Sequence, residues 1–155
     1  MNDEPGTYAL LLRASSARTV TVGALGELSV RPGWYVYVGS AFGAGGLRAR
    51  VGRHARGDGA THWHVDYLRA ATALEAVWYT HDHRRRECAW AAALRERPGA
   101  QVPMAGFGAS DCGCDAHLIA FGALPPLRGV RALLHARHPD HAPIHEAAAA
   151  AVRAS

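Results

Sequence analysis

The chain has no lysine, one asparagine (Asn2), three cysteines and no apolar run of about 18 residues or more. A bilayer-spanning helix needs about 20 mostly apolar residues, so no membrane partner is expected. The start, Met1 to Gly6, carries Asp3 and Glu4 where a secretory leader would place basic residues ahead of an apolar stretch, and secretion is not expected either. An odd number of cysteines cannot pair completely, and Cys112 and Cys114 stand too close in sequence for an unstrained bridge. Cys88, Cys112 and Cys114 therefore read as reduced thiols in a cytoplasmic setting.

The missing lysine makes all 17 basic side chains arginine; against 13 acidic ones they leave a net charge of +4 and a pI near 9.3. Arginine grips phosphate in a bidentate way that lysine cannot, which suits a nucleic-acid partner. The same usage fits a chain rich in alanine, glycine and proline, so charge alone does not choose. At 155 residues and 49% hydrophobic content the chain is long enough to bury a core without staples.

Residues Thr7 to Arg13, Thr19 to Val22 and Trp34 to Gly39 read as strands, with a short extra one at Glu27 to Val30. After Gly43, Gly45 and Gly46 the apolar period changes from two to 3.6, predicting a helix of about three turns that stops at Gly57. Leu74 to Thr80 is another strand; Asp82 is placed to cap a helix from about Arg84 to Arg97, closed by Pro98 and Gly99. Gln101 to Asp111 reads as a loop, His117 to Phe121 as a strand and Leu127 to Arg137 as a helix, and Ala147 to Ala151 is helical by propensity. The expected class is α+β: a small antiparallel or mixed sheet flanked by helices, with an extra strand and helices toward the C-terminus. Residues 1–122 would form the main domain and 123–155 a C-terminal helical extension, whose alanine-rich tail, Ala147 to Ala151, reads as a terminal appendage with no part in the chemistry.

Within the first helix, Leu47 and Val51 define the buried stripe, Arg50 and His54 share its flank, and Arg48, Arg53 and Arg56 point to solvent. An arginine bordering an apolar stripe needs an anion, carboxylate or phosphate, unless its stem merely covers core. Glu87 stands three residues before Trp90 and seven before Leu94, on the inward face of its helix. Contact with the helix dipole would explain it, as would a divalent cation held by one carboxylate with waters and phosphate oxygens. On the strand 34–39, Tyr35 and Tyr37 share one face and Trp34, Val36 and Val38 the other. A phenol near pKa 10 becomes a base at neutral pH only where a cation favours its ionised form; otherwise it packs.

The order of these residues adds what none carries alone. Gly6-Thr7-Tyr8, then Tyr37-Val38-Gly39 before a serine and a glycine-rich bend, then Leu47-Arg48-Ala49-Arg50-Val51 with His54, then Glu87 on the next helix, resembles the GIY-YIG nuclease family. The stretches Gly33 to Ala41, His62 to Leu68 and Gly106 to Cys114 make it most similar to a small Uri-type or uncharacterised branch, with the likeness reaching about Phe121. The resemblance implies a GIY-YIG-like fold and a metal-dependent endonuclease acting on DNA, in repair or processing. It places the catalytic residues at Tyr8, Tyr37, Arg50, His54 and Glu87, with Mg²⁺ or Mn²⁺ at Glu87. Thr7 stands where isoleucine is usual. About 28 residues lie between Tyr8 and Tyr37, which an additional hairpin would accommodate. The asparagine many members carry after the glutamate has no counterpart, since Asn2 is the only one. The alternative is a DNA-binding module that keeps the scaffold and acts with a repair partner. DNA shape and oligomeric state stay open.

A second constellation is Cys112-x-Cys114-x-x-His117, which with His64 or His62 offers four ligands for a structural Zn²⁺. Its alternative is a loop packed by reduced cysteines. His81, His83, His135, His138, His141 and His145 lie in turns and near the tail, and are expected to be solvated without a site.

Overall fold

The computed structural model describes residues 1–57, 60–110 and 112–155; Asp111, the end of the expected loop, lies outside the described residues. Its elements are β1 (Gly6–Ala14), β2 (Arg18–Thr21), β3 (Glu27–Val30), β4 (Gly33–Ala41), α1 (Gly46–Arg56), α2 (His64–Arg69), β5 (Ala73–Thr80), α3 (Glu87–Arg95), β6 (Leu118–Phe121), α4 (Leu127–Arg137), β7 (His145–Ala148) and α5 (Ala149–Arg153). The class is α+β. Five strands form one sheet in the order β6-β4-β1-β5-β7, and β2 with β3 form the extra hairpin between the two tyrosine strands. Each pairing among the described residues is antiparallel, so the sheet is not mixed.

β1 is central. Its apolar residues from Tyr8 to Leu12 are buried whichever way they point, because both faces of the sheet are covered. Tyr8, Leu10 and Leu12 enter one core with Tyr35, Tyr37, Leu47 and Val51; Ala9 and Leu11 enter the other with Val36, Val38, Trp78, Trp90 and Leu94. The alternation read for β4 is thus the division between two cores. Helices α1, α2 and α5 supply the first, α3 and α4 the second.

Several readings are corrected. The helix expected from Arg84 begins at Glu87 and ends at Arg95, because Asp82 does not cap it. Instead Asp82, buried, accepts the Arg84 amide, the Arg86 Nε and the Ala142 amide, each at 2.9 Å. The tail is strand before it is helix: residues 145–148 pair with β5, where backbone groups at the sheet edge satisfy a segment whose propensity favours helix. It is no detached appendage, since Ala149 and Val152 are buried in the core that holds Tyr8 and Leu47. The helix α2 was missed; Asp66 starts it by accepting the backbone amides of His62 and Trp63, each at 2.8 Å. His141 is buried, not solvated: the Trp90 indole N–H donates to its Nε2 at 2.9 Å.

Asp82 joins the approach to α3 to the segment before β7. The amides and the Arg86 guanidinium outweigh its burial and hold its pKa at about 2. Replacing it leaves Arg86, itself buried, with the half-exposed Asp140 as its one counter-ion among the described residues. Asp82→Ala is expected to cost about 3 kcal/mol or more, as breaking a buried ion pair does. Urea denaturation measures this, and a loss below about 1 kcal/mol would show that the joint is not stabilised by this carboxylate.

Candidate functional site

Tyr8 and Gly39 are register partners on β1 and β4, and the Tyr8 ring lies across that glycine. A Cβ at Gly39 would stand 2.5 Å from the phenol oxygen, so only glycine leaves the ring its place. Tyr37 points to the same face, its ring centroid 6.5 Å from that of Tyr8. Against it lies Gly108, whose φ of +70° and a would-be Cβ 2.8 Å from the Tyr37 ring both require glycine.

Helix α1 brings up the next groups. His54 is buried, with Nε2 2.9 Å from the Tyr8 hydroxyl and Nδ1 3.8 Å from Asp66. Arg50 donates from Nη1 to the Ser40 carbonyl at 3.1 Å and lies over the Trp63 ring at 4.4 Å. Among the described residues it has no carboxylate partner within ion-pair distance. Arg53, expected to face solvent, instead covers Trp63 at 4.3 Å and pairs with Asp66 at 3.2 Å. Arg85, ahead of α3, donates to the Ser40 hydroxyl at 3.1 Å and stacks on Phe42. Ser40 thus carries one guanidinium on its carbonyl and another on its hydroxyl.

Glu87 is the first residue of α3, and its Oε2 is buried without a hydrogen-bond partner. Tyr8, Tyr37, Arg50 and Glu87 line one cavity of about 170 Å³, with Ser40, Trp63, Arg85, Gly108, Cys112 and His117. His54 is not on its wall; it stands behind Tyr8 and reaches the cavity through that hydroxyl. A larger groove of about 590 Å³ opens at the other end of β4, around Trp34 and Gln101, away from these groups.

Burial sets the protonation states. It raises the Tyr8 phenol above its ordinary value, an effect increased by Tyr37 and opposed by Arg50. Tyr37 is pushed up to about 12 by burial, again opposed by Arg50. His54 falls to about 4 because burial penalises its cation more than Asp66 favours it. At neutral pH both phenols carry their protons and His54 is uncharged.

Beside the cavity, Cys88, Cys112, Cys114 and His117 hold their ligand atoms within 4.8 Å of one another, and could bind a metal ion. The fourth member is Cys88, not His64. The His64 Nδ1 accepts the Gly108 amide at 2.8 Å, and His62 packs its ring on Trp63. Cys88 escaped sequence reading because its neighbours in space lie more than twenty residues onward. The available signal was that the cluster gathers all three cysteines of the chain. Trp63 and Arg85 were missed for the same reason, having no local pattern that marks a cavity wall.

The family described as a domain of unknown function, DUF123, matches residues 7–137. The chain belongs to that family. Comparison with curated proteins and with solved structures returned no match. The DUF123 match runs from β1 to the end of α4, so it contains both tyrosine strands, α1, Glu87 and the Cys/His cluster.

Two expectations test this geometry. Gly39→Ala should destabilise by about 1–3 kcal/mol through overpacking against Tyr8. At Gly43 an added Cβ meets nothing within 4 Å, so Gly43→Ala should leave the urea midpoint nearly unchanged. Equal effects would show that Tyr8 does not depend on the glycine. Because the folded His54 titrates near 4 and an unfolded histidine near 6.5, the unfolded chain takes up its proton first as pH falls. Stability should therefore decline between pH about 6.5 and 4, by up to about 3 kcal/mol from this residue. His117 and His141 are also held low and add to the same window. The decisive measurement is the difference between wild type and His54→Gln, whose slope should be shallower; identical slopes would refute a buried neutral His54.

Proposed function

We propose that this DUF123 chain is a divalent-metal-dependent endonuclease of the GIY-YIG type, hydrolysing DNA phosphodiester bonds in repair or processing. One observation carries the reading: Tyr8, Tyr37, Arg50 and Glu87, the residues that the resemblance singles out, line a single cavity with a buried, unpartnered carboxylate oxygen on its wall. A buried acceptor without a donor is costly, and a cation bound there would relieve it. Glu87 is the residue that would hold Mg²⁺ or Mn²⁺. When bound, such an ion neutralises phosphoryl charge, stabilises the leaving oxygen and favours the ionised form of a nearby phenol.

The chain's own groups divide the remaining work. Arg50, stacked on Trp63 and without a carboxylate partner among the described residues, is free to steady the scissile phosphate. Arg85 stands across Ser40 from it and receives an adjoining stretch of backbone. Tyr37 takes a proton from the attacking water when ionised. Tyr8 offers a second path: as its oxygen accepts the water's proton, its own passes to His54 Nε2, and Asp66 faces the imidazolium that forms. Because burial makes a Tyr8 phenolate costly, the neutral His54 behind it is the more accessible acceptor.

For the Cys/His cluster we propose Zn²⁺, since three sulfurs and one imidazole nitrogen are zinc's common structural donors. The free thiols and the absence, among the described residues, of a helix long and apolar enough to cross a membrane fit a cytoplasmic setting. One observation favours the alternative of a DNA-binding module without cutting: Asn2, the sole asparagine, bonds Glu4 and does not line the cavity, so the family's supporting asparagine is unfilled.

Glu87→Ala and Arg50→Ala should each lower metal-dependent cleavage of labelled single-stranded, duplex or branched DNA by about 100-fold or more, the scale on which removal of a transition-state contact acts. Binding without any product in Mg²⁺ or Mn²⁺ would replace the enzyme with the module. Wild-type rates in either variant would overturn the assignment of that residue.

A further inference from the structure

The Cys/His cluster joins two segments that touch the cavity from different directions. Cys88 lies in the first turn of α3, immediately after Glu87. Cys112, Cys114 and His117 belong to the segment leading into β6, and Cys112 and His117 are themselves part of the cavity wall. That segment is rich in glycine, with Gly106, Gly108 and Gly113, and holding it in one conformation is costly in entropy. Among the described residues, turn bonds and a few ties to neighbouring elements offset part of this: Gly106 donates to the Asp115 carbonyl, Ala109 to the Gly106 carbonyl, His117 to the Phe107 carbonyl and Gly108 to His64, and the His117 carbonyl accepts the Val38 amide.

The donor geometry fits a tetrahedral ion. With Zn–S near 2.3 Å and Zn–N near 2.0–2.1 Å, sulfur and nitrogen ligands of one zinc stand about 3.6 Å apart. His117 Nε2 lies 3.4 Å from the Cys112 sulfur and 3.7 Å from that of Cys88. Those contacts are weak as hydrogen bonds and near the expected edge of a coordination shell. The four donors also complete the shell, as in a closed structural site, so the centre adds no open position for chemistry.

We infer that this centre is a positioning clamp for the cavity: an ion bound by Cys88, Cys112, Cys114 and His117 ties the 104–117 segment to the start of α3 and thereby sets Glu87 against the wall it faces. The four residues act on the reaction through Glu87 and the wall, not by touching substrate. Only the consequence for cleavage rests on the endonuclease reading; the ion and its ligands do not.

The full chain, made without a histidine tag and freed of metal by chelation under reducing conditions, is titrated with Co²⁺. One equivalent should bind, with the intense visible bands of a tetrahedral site and near-ultraviolet sulfur-to-cobalt charge transfer, and Zn²⁺ should displace it. His64→Ala should leave that spectrum unchanged. Cys88→Ser should lose part of the charge-transfer band and bind at least tenfold more weakly. Hydrogen exchange of the wild-type protein, with and without Zn²⁺, should show protection concentrated in 104–117 and the first turn of α3. This last measurement holds even if the cysteine variant fails to fold. Failure to bind Co²⁺ stoichiometrically, loss of the spectrum in His64→Ala, or exchange indifferent to Zn²⁺ would overturn the inference. Stoichiometric zinc with ordered exchange but no DNA cleavage would leave the clamp standing and remove the enzyme.

Discussion

The central strand β1 is the constraint on which the other elements depend. It is paired on both edges and covered on both faces, so neither its register nor its direction can change without exposing a core. A one-residue slip would send Tyr8, Leu10 and Leu12 into the opposite core and bring Ala9 and Leu11 in their place, exchanging large side chains for a mismatched set. The register that avoids this sets Tyr8 opposite Gly39 and Leu10 opposite Tyr37. The two phenols are therefore positioned by packing of the whole sheet, and the Tyr8 hydroxyl is held further by His54.

Around that fixed pair, long side chains are held by stacking. Trp63 lies against both Arg50 and Arg53, Phe42 against Arg85, and Ser40 receives a hydrogen bond from each of Arg50 and Arg85. Long arginine side chains lose much rotamer freedom when ordered, and aromatic faces offset part of that loss in advance of any ligand. Cationic groups thus surround a cavity containing one buried carboxylate oxygen with no donor. Such an arrangement is unfavourable when empty and favourable with a cation and an anion inside, which is the electrostatic sense of the proposed reaction.

The wall formed by 104–117 is a different kind of structure. Regular hydrogen-bonded ladders hold the sheet, whereas the described residues of this wall, 104–110 and 112–117, are irregular backbone bearing glycines, with Phe107 and Ala116 as fully buried apolar anchors. The cluster of soft donors at its junction with α3 could hold a metal ion, and an ion bound there, as proposed, would be a compact means of closing a long loop.

By itself the sequence determined the sheet and helices that depend on local period, the two faces of β4, the extra hairpin, the place of Arg50 on the flank of its helix, the inward aspect of Glu87, and three of the four cluster residues. Each of these is encoded by neighbours within a few positions, where strand and helix repeats place side chains predictably. Tertiary structure decided the rest. It made residues 145–148 a strand because β5 offered an open edge, buried His141 beside Trp90, turned Arg53 onto Trp63 and Asp66, and chose Cys88 over His64 for the cluster. In each of those cases the deciding partner lies beyond the reach of a helix or strand repeat, from ten residues on for Arg53 to about seventy for the 145–148 strand, and such contacts exist only once separate elements have packed together.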